Sequence, residues 1–163
     1  MHRESMEGMR LTLKEIAKRG DKILDIGSLD VRGKGNYRSI VPAGCHYTGA
    51  DIISGPNVDL VMHPDLIPTK KEEFNIVISG QCFEHVENPF VLIKECARVL
   101  VPKGKIVIVA PNQWPEHHNP DRWRFLPDGM RTLFKYAGLE SKEVWLHKIE
   151  VGYVDCWGIA EKP

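Results

Sequence analysis

The sequence predicts an α/β fold, a mostly parallel sheet covered by helices on both faces. Three observations carry this. Short apolar runs alternate with stretches of helical periodicity along the chain. The runs lack strict polar–apolar alternation, which suits strands buried on both sides. A glycine, Gly27, follows the first run directly, as at the ligand-facing turn of a βα unit. The 163 residues suit one domain spanning 1–163.

The elements follow in order. Residues 6–19 place Met6, Met9, Leu13, Ile16 and Ala17 at helical spacing, with Gly20 as a C-cap. Strands are expected at 22–26, 46–52, 57–62, 74–79 and 105–110. Between the last two lies a helix. Asn88 is its N-cap and Pro89 takes its first position. Phe90, Ile93, Ala97 and Leu100 share one face, while Lys94, Glu95 and Arg98 face the other way. The turn at Pro102 to Gly104 stops it. A further helix begins at Pro127, carries Met130, Leu133, Phe134 and Ala137, and ends at Gly138. Strands near 143–147 and 154–160 close the chain, with Trp145 and Trp157 as core residues. Residues 1–20 thus form an N-terminal helix, 22–110 a ligand-binding half, and 111–163 the opposite half.

Composition narrows the function. Lys plus Arg and Asp plus Glu both number 22, so the formal charge is zero. Such a chain has no global field to hold a long nucleic acid or an anionic membrane. No apolar run is long enough to span a bilayer, and the N-terminus lacks a signal peptide's apolar region. Cys45, Cys82, Cys96 and Cys156 form no CxxC pair and read as free thiols of a cytoplasmic protein. The histidines show no zinc-motif spacing, so no metal is expected.

In a parallel sheet, ligands sit beyond the carboxyl ends of the strands. The first turn there runs Asp25-Ile-Gly27-Ser28-Leu29-Asp30. Gly27 lets backbone approach a ligand, and a helix N-terminus behind the turn would offer N–H groups to an anion. Asp51 ends the second strand, where a carboxylate can accept bonds from both ribose hydroxyls. Together they point to a nucleoside-containing cofactor. Leu29 stands where a dinucleotide fingerprint needs its second glycine, which argues against a nicotinamide-dependent oxidoreductase. The P-loop pattern is missing too, so a nucleoside ligand without phosphates fits better.

With these residues in view, the sequence resembles the class I S-adenosylmethionine-dependent methyltransferases, from about Lys22 to Gly138. ILDIGSLD is similar to the family's first motif, and YTGADI to its ribose-binding acid. Glu84-His85, then Arg98-Val99-Leu100, then Pro102-Lys103-Gly104 follow the family's order, with Lys103 replacing a glycine. GSLDV and DRWRFLPDGMRTLF resemble a smaller subset of these proteins. The resemblance implies a Rossmann-like methyltransferase fold with seven strands, the last antiparallel. It implies S-adenosylmethionine as cofactor. Asp25, Gly27, Ser28 and Leu29 would shape its methionine and ribose pocket, Asp51 would bind the ribose, and Ile52 would pack on adenine. Gln81 and Cys82 would line its reactive side. His63 stands where an acid often contacts the adenine amino group, and Asp65 is the alternative.

The substrate side is read from the loop after the fifth strand, where Asn112, Trp114, His117, His118, Asp121, Trp123 and Arg124 crowd together. As a lid or acceptor wall, this loop would supply Asn112, Trp114, His117, Asp121, Trp123 and Arg124. As a structural loop, it would bury Trp123 and Phe125 and pair Asp121 with Arg124. His85 and His118 are the candidate general bases. The expected function is methyl transfer to a small-molecule hydroxyl or amine. The alternative is a non-catalytic cofactor-binding module acting as a partner subunit. A homodimer, or an acceptor presented by another subunit, stays open.

Overall fold

The computed structural model describes residues 3–31, 33, 35–118, 120–149 and 152–163. Among the described residues, three α-helices, α1 (Arg3–Ile16), α2 (Pro89–Val99) and α3 (Pro127–Tyr136), flank one sheet. Its strands are β1 (Lys22–Ile26), β2 (His46–Asp51), β3 (Leu60–Val61), β4 (Phe74–Gly80), β5 (Leu100–Gln113), β6 (Glu140–Lys148) and β7 (Val154–Glu161). Their spatial order is β3-β2-β1-β4-β5-β7-β6. The β1, β2, β3, β4 and β5 pairings are parallel, and β7 runs antiparallel to both β5 and β6.

The central strands are largely apolar because each feeds two cores. Successive side chains point to opposite faces. Ile23, Ile76, Ile78, Val107 and Val109 meet Met9 and Leu13 of α1 on one face. Leu24, Val77, Ile106 and Ile108 meet Leu92 and Ile93 of α2 and Met130 and Phe134 of α3 on the other. Each fully buried side chain of this size contributes roughly 1.5–3 kcal/mol. Trp157 is buried and stacks on half-buried Trp145, with ring centroids 5.6 Å apart.

The first helix ends at Ile16, so Gly20, whose N–H donates to Gly44 O, is not its C-cap. Four further expectations need correction. Among the described residues, the turn after β1 leads into no α-helix; the next regular element is a short 3₁₀ turn at Tyr37–Ile40. Gly27, Gly33 and Gly35 all adopt positive φ, which breaks helical geometry. The proposed anion site at a helix N-terminus is therefore not formed there. Second, β3 is only two residues long. Asn57 has φ 71° and its side chain bonds Ser28 O and the Tyr47 hydroxyl, while Asp59 N donates to Gly49 O and its carboxylate accepts from Gly49 N. Third, Leu100 leaves α2 and opens β5, which runs through Pro102 with a register shift opposite Phe74–Ile76. Fourth, β6 begins at Glu140, three residues earlier than its pattern suggested.

The Asn88 cap forms as expected. Its side-chain oxygen accepts from Phe90 N and Val91 N, and Pro89 occupies the first turn. This anchors α2 just beyond the carboxyl end of β4. The strand order reverses between β1 and β4, and a ligand crevice is expected at that switch point.

Candidate active site

A cavity of about 760 Å³ opens at that point. It lies within the roughly 300–1,000 Å³ of sites for small organic ligands. Gly27, Ser28 and Leu29 reach it from β1, Asp51 and Ile52 from β2, and Gln81, Cys82 and His85 from β4.

The turn is built to hold Asp51. Gly27 N and Ser28 N both donate to Ala50 O, which folds the chain back over β2. Leu29 N then donates to Asp51 Oδ2 at 3.0 Å, and Ile53 N to Oδ1 at 3.4 Å. One carboxylate is thus fixed by two amides at the edge of the cavity. Ile52 and Ile53 remain well exposed beside it, with Met62 and Leu92 also on the wall. Gly27 has φ 79°, and a Cβ there would lie 2.6 Å from Cys82 Cβ and Sγ. Only glycine fits this turn without moving β4's end.

Asp25 is nearly inaccessible, and the Tyr47 hydroxyl donates to it. Burial pushes its carboxyl up to about 7 despite that bond. Gln81 has φ 56°, a conformation costing of order 1 kcal/mol for a residue other than glycine. Its amide donates to Asp155 Oδ1 at 3.0 Å, which explains how the conformation is held. Burial raises the Cys82 thiol, which stays protonated.

Beyond Cys82 sits a polar cluster that the sequence reading only half identified. Glu84 is fully buried, and neither carboxylate oxygen has a hydrogen-bond partner. Burial pushes it up to about 8. His85 Nε2 lies 3.6 Å and His117 Nε2 3.9 Å from Glu84 Oε1. The signal for Glu84 was its place in the Glu-His pair, but nothing local shows that His117 returns to it.

The described residues of 111–126 form a hydrogen-bonded frame. Asn112 donates to Phe125 O, and Phe125 N to Pro111 O, each at 2.8 Å. Arg124 grips the buried Asp121 carboxylate with two bonds of 2.7 Å. That guanidinium holds Asp121 well below the usual carboxylate range. Trp114 Nε1 donates to Asp155 Oδ1, and Trp123 Nε1 to Val86 O. Asn112, Trp114, His117, Asp121, Trp123 and Arg124 therefore do not border the cavity; they hold in place His118, Pro120 and Arg122, which do. Phe125 is buried, whereas Trp123 is 40% exposed. Arg122 was missed by the sequence reading; its guanidinium donates to His85 O. His63 and Asp65 are exposed, lie 3.7 Å apart, and do not reach the cavity; Met62 and Pro64 do. Of this stretch, the apolar Met62 and Pro64 line the cavity, whereas the two polar candidates for the adenine contact do not.

Among the described residues, no helix is long and apolar enough to cross a membrane.

Comparison with known proteins agrees with this geometry. A methyltransferase domain family matches residues 2–149. A search of curated proteins finds no match. Among solved structures, an S-adenosylmethionine-dependent methyltransferase from Methanosarcina mazei superposes with a TM-score of 0.75 at 16% identity, covering 93% of this chain and 96% of that one. The 1,6-didemethyltoxoflavin-N1-methyltransferase of Burkholderia thailandensis, with its substrate and S-adenosylhomocysteine bound, gives 0.80 at 14% identity, over 97% and 78% of the two chains. A methyltransferase from Haloferax volcanii in complex with the activator Trm112 gives 0.69 at 19% identity, over 96% and 92%. The strand order, the Asp51 turn and the match across nearly the whole chain agree: this chain belongs to the methyltransferase domain family, the class its motifs resemble.

Proposed function

We propose that the cavity binds S-adenosylmethionine and that the protein transfers its methyl group to a small-molecule hydroxyl or amine. The observation that carries this is Asp51, fixed by Leu29 N and Ile53 N at the cavity edge, where it can accept both hydroxyls of a ribose. The surrounding walls fit the rest of the cofactor. Ile52, Ile53, Met62 and Leu92 offer an apolar slot for adenine, and Asp25 and Gly27 face the space for the methionine and ribose parts.

The cofactor supplies a methyl already activated on a sulfonium. The protein's task is to hold a nucleophile in line and dry. His118, Pro120 and Arg122 form the wall on the acceptor side. His118 is the group assigned to accept the nucleophile's proton. His85 also borders the cavity, but its Nδ1 is bonded to Pro120 O at 2.7 Å and its Nε2 faces Glu84, so its part is positional. The small acceptor is supported by the cavity's size and by the relative that carries a bound heterocycle.

The test is methyl transfer from radiolabelled S-adenosylmethionine to a panel of small alcohols, amines and sugars. Transfer to one class is expected. His118→Ala should lower kcat by about 100-fold or more, with cofactor affinity unchanged. Cofactor binding without transfer to any acceptor would instead favour a non-catalytic module that serves a partner subunit.

A further inference from the structure

Glu84, His85 and His117 offer three ligand atoms that all lie within 4.8 Å of one another. We infer that these residues form a binding site for a divalent first-row transition ion, of the zinc or ferrous class, in the wall of the cavity.

The distances fit. Ligand atoms held at about 2.0–2.1 Å in a tetrahedral zinc site lie roughly 3.3–3.4 Å apart. The two imidazole Nε2 atoms stand 3.6 and 3.9 Å from Glu84 Oε1, close to that spacing, and all three ligand atoms lie within 4.8 Å of one another. The two rings pack edge to face, with centroids 5.3 Å apart.

The outer contacts fit as well. Metal-bound histidines usually tie their other nitrogen to a carbonyl or carboxylate, which leaves the lone pair of the ligating nitrogen aimed at the ion. His85 Nδ1 is bonded to the Pro120 carbonyl at 2.7 Å. A proton on that nitrogen leaves Nε2 as the acceptor facing Glu84. His117 Nδ1 lies 3.1 Å from Asp121 Oδ2, within reach though not aligned as a hydrogen bond. Asp121 is in turn clamped by Arg124.

Glu84 is the independent observation. It is a fully buried carboxylate with no hydrogen-bond partner on either oxygen. Buried polar groups are nearly always satisfied, and each orphan asks for an explanation. A cation between Glu84 and the two imidazoles satisfies it. Two imidazoles and one carboxylate select zinc or ferrous iron over magnesium, which prefers oxygen ligands and its own water. Three protein ligands leave a position for water or a substrate oxygen. His85 joins the cluster to the cavity wall, so this position can serve the acceptor. That last role rests on the proposed methyl transfer; binding of the ion does not.

The test uses untagged, full-length protein stripped with chelator, in the absence of cofactor and acceptor. Zn²⁺ is titrated by calorimetry, and Co²⁺ is added as a spectroscopic probe. One Zn²⁺ per chain is expected, with a Co²⁺ visible spectrum of low coordination number and no competition from equimolar Mg²⁺. His117→Ala, a half-buried position that leaves the core intact, should weaken Zn²⁺ about 100-fold. Glu84→Gln should do the same, and His63→Ala, at an exposed site elsewhere, should change nothing. Stoichiometry well below one would overturn the site. So would Zn²⁺ affinity unchanged in His117→Ala, or displacement by Mg²⁺. Circular dichroism of each variant separates lost ligation from lost folding, and His117→Ala decides if Glu84→Gln does not fold. Failure of cofactor binding with this site intact would count against the methyl-transfer reading alone.

Discussion

Replacing Asp51 should cripple cofactor binding while leaving the fold in place. Its two oxygens accept from Leu29 N and Ile53 N and still face the cavity. Hydrogen bonds to a charged group contribute about 1.5–3 kcal/mol each. Asp51→Ala removes two such bonds to the ribose, and water recovers part of the loss in the free protein. A net penalty of about 3 kcal/mol follows, which is about 100-fold in Kd. Asp51→Asn keeps one acceptor and loses the charge, so about 10-fold is expected. The Leu29 amide is partly solvated, so its lost bond should cost about 1 kcal/mol of stability, a Tm drop of about 2–4 °C. Calorimetric titration with S-adenosylmethionine and S-adenosylhomocysteine measures the first effect, and thermal melting the second. An Asp51→Ala protein that binds within threefold of the wild type would refute the ribose assignment.

Gly27→Ala combines a positive φ, costing about 1–2 kcal/mol, with an overlap on Cys82 costing about 1–3 kcal/mol. Thermal melting should show the loss, and adding Cys82→Gly should restore the overlap part. Asp25 gives a pH signature. Its folded pKa of about 7 exceeds the ordinary 3.8, so the folded chain holds a proton that the unfolded chain releases. Its contribution is full below about 3.8 and is lost as pH rises through 7, with a slope of at most about 1.4 kcal/mol per pH unit. The groups that set it are burial, the Tyr47 hydroxyl, Asp51 and Arg38. Denaturation of Asp25→Asn across pH 4–8 should remove that slope relative to the wild type. Arg124→Ala leaves Asp121 without its clamp, so hydrogen exchange should quicken across residues 114–123 and acceptor KM should rise. Cofactor affinity should change by less than about threefold, because the clamp lies off the cavity.

What the chain revealed by itself was local. The Asn88-Pro89 start of α2, the Pro127 start of α3 and the two-faced central strands came from caps and periodicity, and each is formed. The Gly27 turn also forms, and with Asp51 it borders the same cavity, but the bond from Leu29 N that fixes Asp51 was not legible in the spacing. The crossovers were not legible. Residues 27–36 have no apolar period, and the side chains of Asn57 and Asp59 are committed to Ser28, Tyr47 and Gly49. The 111–126 segment is unusual in composition, and the local Asp121–Arg124 pair is legible in it, but the places of His117 and Trp123 depend on partners 33 and 37 positions away. His117 meets Glu84 and Trp123 meets Val86 only once β4 and β5 lie side by side. His63 shows the opposite case, a residue at the expected sequence position whose side chain is exposed and does not line the cavity.

The most direct measurement is calorimetric titration of the wild-type chain with S-adenosylhomocysteine. One molecule per chain with a Kd in the micromolar range, on the order of −8 kcal/mol, is the expected result. A folded protein that takes up neither this product nor S-adenosylmethionine would contradict the assignment of the β1–β4 cavity as a methyl-donor site.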